Sequence, residues 1–110
     1  MLQECTSYQQ FRSLLEQSHE TPVIFFKHSL RCPISAGANA DVRSFAEHHP
    51  DIPCVWLNVV EHKELSRRIA TETGIPHQSP QAYIFRNGRI AWDASHGAIT
   101  LKALTDQLTA

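Results

Sequence analysis

The chain has 110 residues, 42% hydrophobic and 19% charged, which suits one compact core and leaves no length for a second. A formal net charge of −1, carried in short mixed runs, offers no basic field for nucleic acid or an anionic membrane surface. No apolar run approaches the roughly 20 residues that span a bilayer, and Met1-Leu2-Gln3-Glu4 lacks the cationic and then apolar order of an export signal, so a single cytoplasmic domain over residues 1–110 is expected.

In chain order, Ser7 is a good helix cap and Gln10 completes a capping box, with Tyr8, Phe11 and Leu15 on one face of the first predicted helix. Pro22 breaks the chain. Val23 to Lys27 is a β-branched and aromatic run without alternation, the pattern of a strand buried on both faces. After the polar stretch His28 to Arg31, a second helix is predicted from Cys32 or Pro33 to about His48, with Ile34, Ala38, Val42 and Phe45 at helical spacing. Cys54 to Val59 reads as a second strand, parallel to the first because a helix joins them. Glu61 to Thr73 reads as a third helix closed by Gly74. Ala82 to Arg86 and Arg89 to Asp93 flank Asn87-Gly88, the strongest short hairpin signal, and a last helix from about Thr100 carries Leu101, Leu104 and Leu108. The expected fold class is therefore α/β, a four-stranded mixed sheet flanked by helices, with a helix at the N-terminus.

Chemistry concentrates at Cys32. A thiol at a helix start faces unbonded backbone N–H groups and the positive end of the helix dipole, both of which favour a thiolate. Pro33 occupies a tolerated first-turn position. In Cys32-Pro33-Ile34-Ser35 the fourth residue can hydrogen-bond a thiolate but cannot form a disulfide with it, so the motif is monothiol and any mixed disulfide must be handed to a second thiol. Arg31 and Lys27 are candidate cations beside the thiolate, and His28 adds charge only when protonated. Of the other two cysteines, Cys54 in its apolar strand reads as a small core residue, and Cys5, at a position just before the first helix that could be open to solvent, as a bystander. An odd number of cysteines in a chain read as unexported suits reduced thiols. Seven histidines include no His-x-x-x-His pair and no Cys-x-x-Cys accompanies them, so no metal site is expected.

This order of elements, with a cysteine between the first strand and its helix, resembles the thioredoxin fold, and Ser79-Pro80 before the third strand matches that fold's second hallmark, a cis-proline packed beside the active cysteine. Phe26 to Ser35 and Gly74 to Gln81 are similar to the YtxJ-type monothiol bacilliredoxins of the bacillithiol system, the Arg-Cys-Pro-Ile-Ser and Ser-Pro-Gln stretches most specifically. Leu30 stands where members of that family often carry threonine. The resemblance implies a thiol–disulfide oxidoreductase that removes a low-molecular-weight thiol from S-thiolated cytosolic proteins through Cys32. It implies bacillithiol as co-substrate and no other cofactor. Ser79 and Pro80 would meet the substrate, and His77 and Gln78 in the loop before them are candidates to touch the bound thiol. The same residues leave open exchange with another small thiol, a non-catalytic redox sensor or binding module, and, without a Cys-Gly-Phe-Ser motif, less readily an iron–sulfur carrier.

Overall fold

The computed structural model describes residues 2–108, so Met1 of the N-terminal stretch and residues 109 and 110 lie outside it. The elements are β1 (Leu2–Glu4), α1 (Tyr8–Gln17), β2 (Val23–His28), α2 (Pro33–His48), β3 (Cys54–Asn58), α3 (Lys63–Thr73), β4 (Gln81–Arg86), β5 (Arg89–Ser95) and α4 (Leu101–Leu108), with a single 3-10 turn, His96–Ala98, before α4. They form one five-stranded sheet in the order β1-β3-β2-β4-β5.

The predicted parallel pairing of β2 with β3 and the antiparallel β4–β5 hairpin are both present. Asn87 and Gly88 take φ of 54° and 75°, the left-handed pair that a two-residue hairpin turn requires and that Asn and Gly tolerate. The Ser7 and Gln10 capping box forms as expected. The sheet differs from expectation in having five strands, because β1 precedes the N-terminal helix and pairs parallel with β3. This edge strand has three residues, two of them exposed, so it carries no apolar run or alternation to betray it. His62 caps α3, which starts at Lys63 instead of Glu61, and β5 runs two residues past Asp93 to Ser95.

Alternation along β2 divides the interior. Ile24 and Phe26 face a core built with Ala38, Val42 and Phe45 of α2 and Leu104 of α4, whereas Val23 and Phe25 face Phe11 and Leu14 of α1 and Ile69 of α3. Helices α2 and α4 thus cover one face of the sheet and α1 and α3 the other. Every residue of β2 is buried, and each of its phenylalanines removes enough apolar surface from water to be worth about 2–3 kcal/mol. That rigid central strand ends at His28, four residues before the thiol.

Candidate active site

Cys32 occupies the N-cap of α2, with extended backbone (φ −104°, ψ 122°) and its carbonyl accepting the first helical bond from the Ala36 N–H at 3.1 Å. Pro33 follows at the first helical position, where its missing N–H costs nothing. The thiol is free and half-buried. Leu30 and Ile34 on either side of it are 68% and 57% exposed, the large apolar side chains left open among the described residues. Arg31 is also exposed, and its N–H donates to Ser29 Oγ at 3.3 Å.

Ser35 is completely buried. Its hydroxyl accepts the Ser29 N–H at 3.0 Å and is bonded to His28 Nδ1 at 2.8 Å, and no hydrogen bond to Cys32 Sγ exists among the described residues. The third residue of the helix turns toward the sheet, so the hydroxyl expected beside the thiolate instead rivets the first turn of α2 to the end of β2. His28, stacked on Phe26 and edge-on to Trp56, has its pKa pushed down by burial and by the charge of Arg43, which keeps it a neutral partner.

Lys27 points to the other face. It is completely buried, and its ammonium donates to the Ser66 carbonyl of α3 at 3.1 Å and lies 3.4 Å from His77 Nδ1. Burial lowers its pKa to about 8. The lysine expected beside the thiol therefore serves the loop between α3 and β4. Ser66 Oγ is 3.1 Å from the same His77 nitrogen. Below them Gln81 ties the loop down: its amide donates to the Pro76 carbonyl at 3.0 Å, while its oxygen accepts the Gln78 N–H at 3.3 Å and the Tyr83 hydroxyl at 2.7 Å. His77 and Gln78 are exposed.

The Ser79–Pro80 peptide is cis. Lys27 pairs with Gln81 across β2 and β4, so the antiparallel register brings Pro80 level with His28, the last residue of β2, and carries Ser79 beyond it toward the segment that leads to Cys32. Pro80 is buried, and Ser79 Oγ is shielded from solvent without a hydrogen-bond partner among the described residues.

The remaining cysteines sit in different surroundings. Cys5 is 1% exposed rather than open to solvent, and Cys54 is 2% exposed; each thiol donates to a nearby carbonyl, of Ser7 and Ile52 respectively, at 3.4 Å. Burial pushes both pKa values up, that of Cys54 to about 11, so neither forms thiolate readily. Glu4, Glu61 and His62 bring ligand atoms within 4.8 Å of one another at the surface, an arrangement common without an ion. Among the described residues no helix is long and apolar enough to cross a membrane.

Sequence reading missed Ser66 and named Gln81 only within the Ser-Pro-Gln stretch, without a role; their signal is a polar residue at an inward position of an amphipathic helix and at the head of a buried strand. With one free thiol at a helix start, a serine three residues on and a cis-proline alongside, the geometry is that of a monothiol thioredoxin-like site. Residues 3–104 match the family model of the monothiol bacilliredoxin BrxC. The chain belongs to the monothiol bacilliredoxin family. This bacilliredoxin is similar to a solved protein proposed as an oxidoreductase with a thioredoxin fold, at 34% identity and TM-score 0.87, the match covering 96% of this chain and 91% of that one. Thioredoxin from Fasciola hepatica (12% identity, 97% and 96% of the two chains, TM-score 0.76) and thioredoxin f from spinach chloroplast (14%, 98% and 90%, 0.77) share its fold. Family and fold together support a thiol redox role for this bacilliredoxin.

Proposed function

We propose that the protein is a cytoplasmic thiol–disulfide oxidoreductase that removes bacillithiol from protein mixed disulfides, with Cys32 as its single nucleophile. The observation that carries this reading is the contrast among its thiols: Cys32 is accessible at a helix start, while Cys5 and Cys54 are buried with raised pKa values. Ser35 in place of a second cysteine favours transfer over internal resolution.

The Cys32 thiolate attacks the small-thiol sulfur of an S-thiolated protein. A new S–S bond joins Cys32 to the small thiol, the original S–S bond breaks, and the protein cysteine leaves as a thiolate that takes a proton from water. A second thiol then attacks the adduct, releases Cys32 and is itself oxidised into the departing disulfide. The positive end of the α2 dipole favours negative charge at the helix start, where Cys32 Sγ accepts no capping bond from the first-turn amides. Leu30 and Ile34 give the thiolated protein segment an apolar landing on both sides of the reacting sulfur. No metal or prosthetic group enters this chemistry.

The test is turnover: a model protein carrying bacillithiol is incubated with the enzyme and a reducing thiol, and free bacillithiol is counted against time. Multiple turnovers by wild type, background release by Cys32→Ser and much slower release from the same protein carrying glutathione support the reading. Equal release by Cys32→Ser overturns it, and equal rates with glutathione replace bacillithiol by a broader small-thiol class.

A further inference from the structure

The buried Lys27–Ser66–His77 cluster is a costly feature that the exchange reaction above does not use. An ammonium group removed from water is normally matched by a carboxylate, yet among the described residues no carboxylate lies within ion-pair distance of Lys27. Its partners are a carbonyl and the Nδ1 of His77. Two groups thus approach His77 Nδ1, and the ammonium can only donate. That nitrogen must present its lone pair, which places the ring proton on Nε2. Burial and the positive charge of Lys27 lower the pKa of His77, so the ring is neutral and the tautomer is fixed. Nε2 has no partner among the described residues, and His77 is exposed, three residues before the cis-proline. The loop therefore carries an oriented N–H donor backed by an uncompensated positive charge, at the end of β2 that leads to Cys32. Such a pair suits an anionic acceptor.

We propose that Lys27 is a positioning residue that holds His77 as its Nε2–H tautomer, and that His77 recognises a carboxylate on the small thiol being transferred to Cys32. This rests on the exchange reaction proposed above and adds which small thiols it accepts. Cysteine and cysteamine are the discriminating probes, because they differ by a single carboxylate. The full-length protein is mixed with a model protein carrying either one, and adduct formation on Cys32 is timed by mass. The cysteine-to-cysteamine rate ratio of wild type falls about tenfold in His77→Ala and in Lys27→Met, the size of one hydrogen bond to a charged group. Ser66→Ala, which removes the second donor and keeps the lysine, lowers the ratio less. In parallel, nitrogen-15 NMR of the wild-type histidine places the proton on Nε2, and in folded Lys27→Met the two tautomers mix. An unchanged ratio in His77→Ala overturns the carboxylate recognition, and a proton on Nδ1 in wild type overturns the role of Lys27. Failure of wild type to take up either probe while it takes up bacillithiol overturns the carboxylate recognition and leaves the exchange reading standing, and failure with bacillithiol as well removes both, while the tautomer still decides the part played by Lys27.

Discussion

Lys27 and His28 are neighbours at the end of β2, both buried and both polar, and they do opposite jobs because successive residues of a strand face opposite ways. His28 reaches across the α2 face to Ser35, seven residues on, and closes a local loop around the nucleophile. Lys27 reaches across the α3 face to Ser66 and His77, 39 and 50 residues away, and joins elements that only the folded chain brings together. One residue holds the wall that carries the thiol and the other holds the wall that leads to the cis-proline. A buried polar residue at a strand end is thus best understood through the element it fastens.

The comparison breaks hardest at the sulfur of Cys32. Cys32→Ser is expected to reduce exchange to background while the circular dichroism spectrum and the unfolding midpoint stay close to wild type, because the side chain is half-buried and makes no hydrogen bond among the described residues. A variant that keeps measurable turnover would assign the chemistry elsewhere.

On the Lys27 wall the expected signature is a pH dependence. Lowering the lysine from its usual 10.5 to about 8 corresponds to about 3 kcal/mol of stability lost at neutral pH. Between about pH 8 and 10.5 the unfolded chain still binds the proton that the folded chain has released, so stability rises with pH across that window. Below pH 8 the cost is complete. Urea unfolding of wild type and Lys27→Met should therefore differ most near pH 7, with the methionine variant the more stable, and converge above pH 10. A constant difference would mean that the ammonium is solvated.

On the other wall, Ser35→Ala strands His28 Nδ1 and the Ser29 N–H in the interior, with an expected loss of about 2 kcal/mol in denaturant unfolding and slower adduct formation at Cys32. A variant as stable as wild type would show that the rivet carries no strain-bearing role. Smaller again is Cys54→Ser, which sets a hydroxyl in the apolar core shared by α2 and is expected to cost about 1 kcal/mol without changing the exchange rate. Equal loss of exchange in the folded Cys32→Ser and Cys54→Ser proteins would show that Cys54 takes part.

Much of this was legible in the residues. The run Val23 to Lys27, the Ser7 cap, the Asn87-Gly88 turn and the joining helices carry local signals strong enough to give the sheet's central strands, its hairpin and all four helices. The strand β1 was not legible, because an exposed three-residue edge segment is held by backbone bonds to β3 that any side chains would permit. At the site, Cys32, Pro33 and Ser79-Pro80 announce themselves by residue type and position. The partners of Ser35 and Lys27 do not. A serine or lysine declares its capacity to bond, but its direction follows from the pleat of β2 and from helix α3, which arrives more than 30 residues later in the chain. Lysine at the end of an otherwise apolar strand was the available hint that one face of the sheet was not purely a core.

The central claim is that a single cysteine carries the small thiol, and intact mass with peptide mapping tests it most directly. Reduced protein is mixed with a bacillithiol-carrying model protein and quenched within seconds with acid. One bacillithiol mass per chain, mapped to the peptide containing Cys32, with Cys5 and Cys54 unmodified, is the expected result. An adduct on Cys5 or Cys54, an internal disulfide, or no adduct at all would contradict the account.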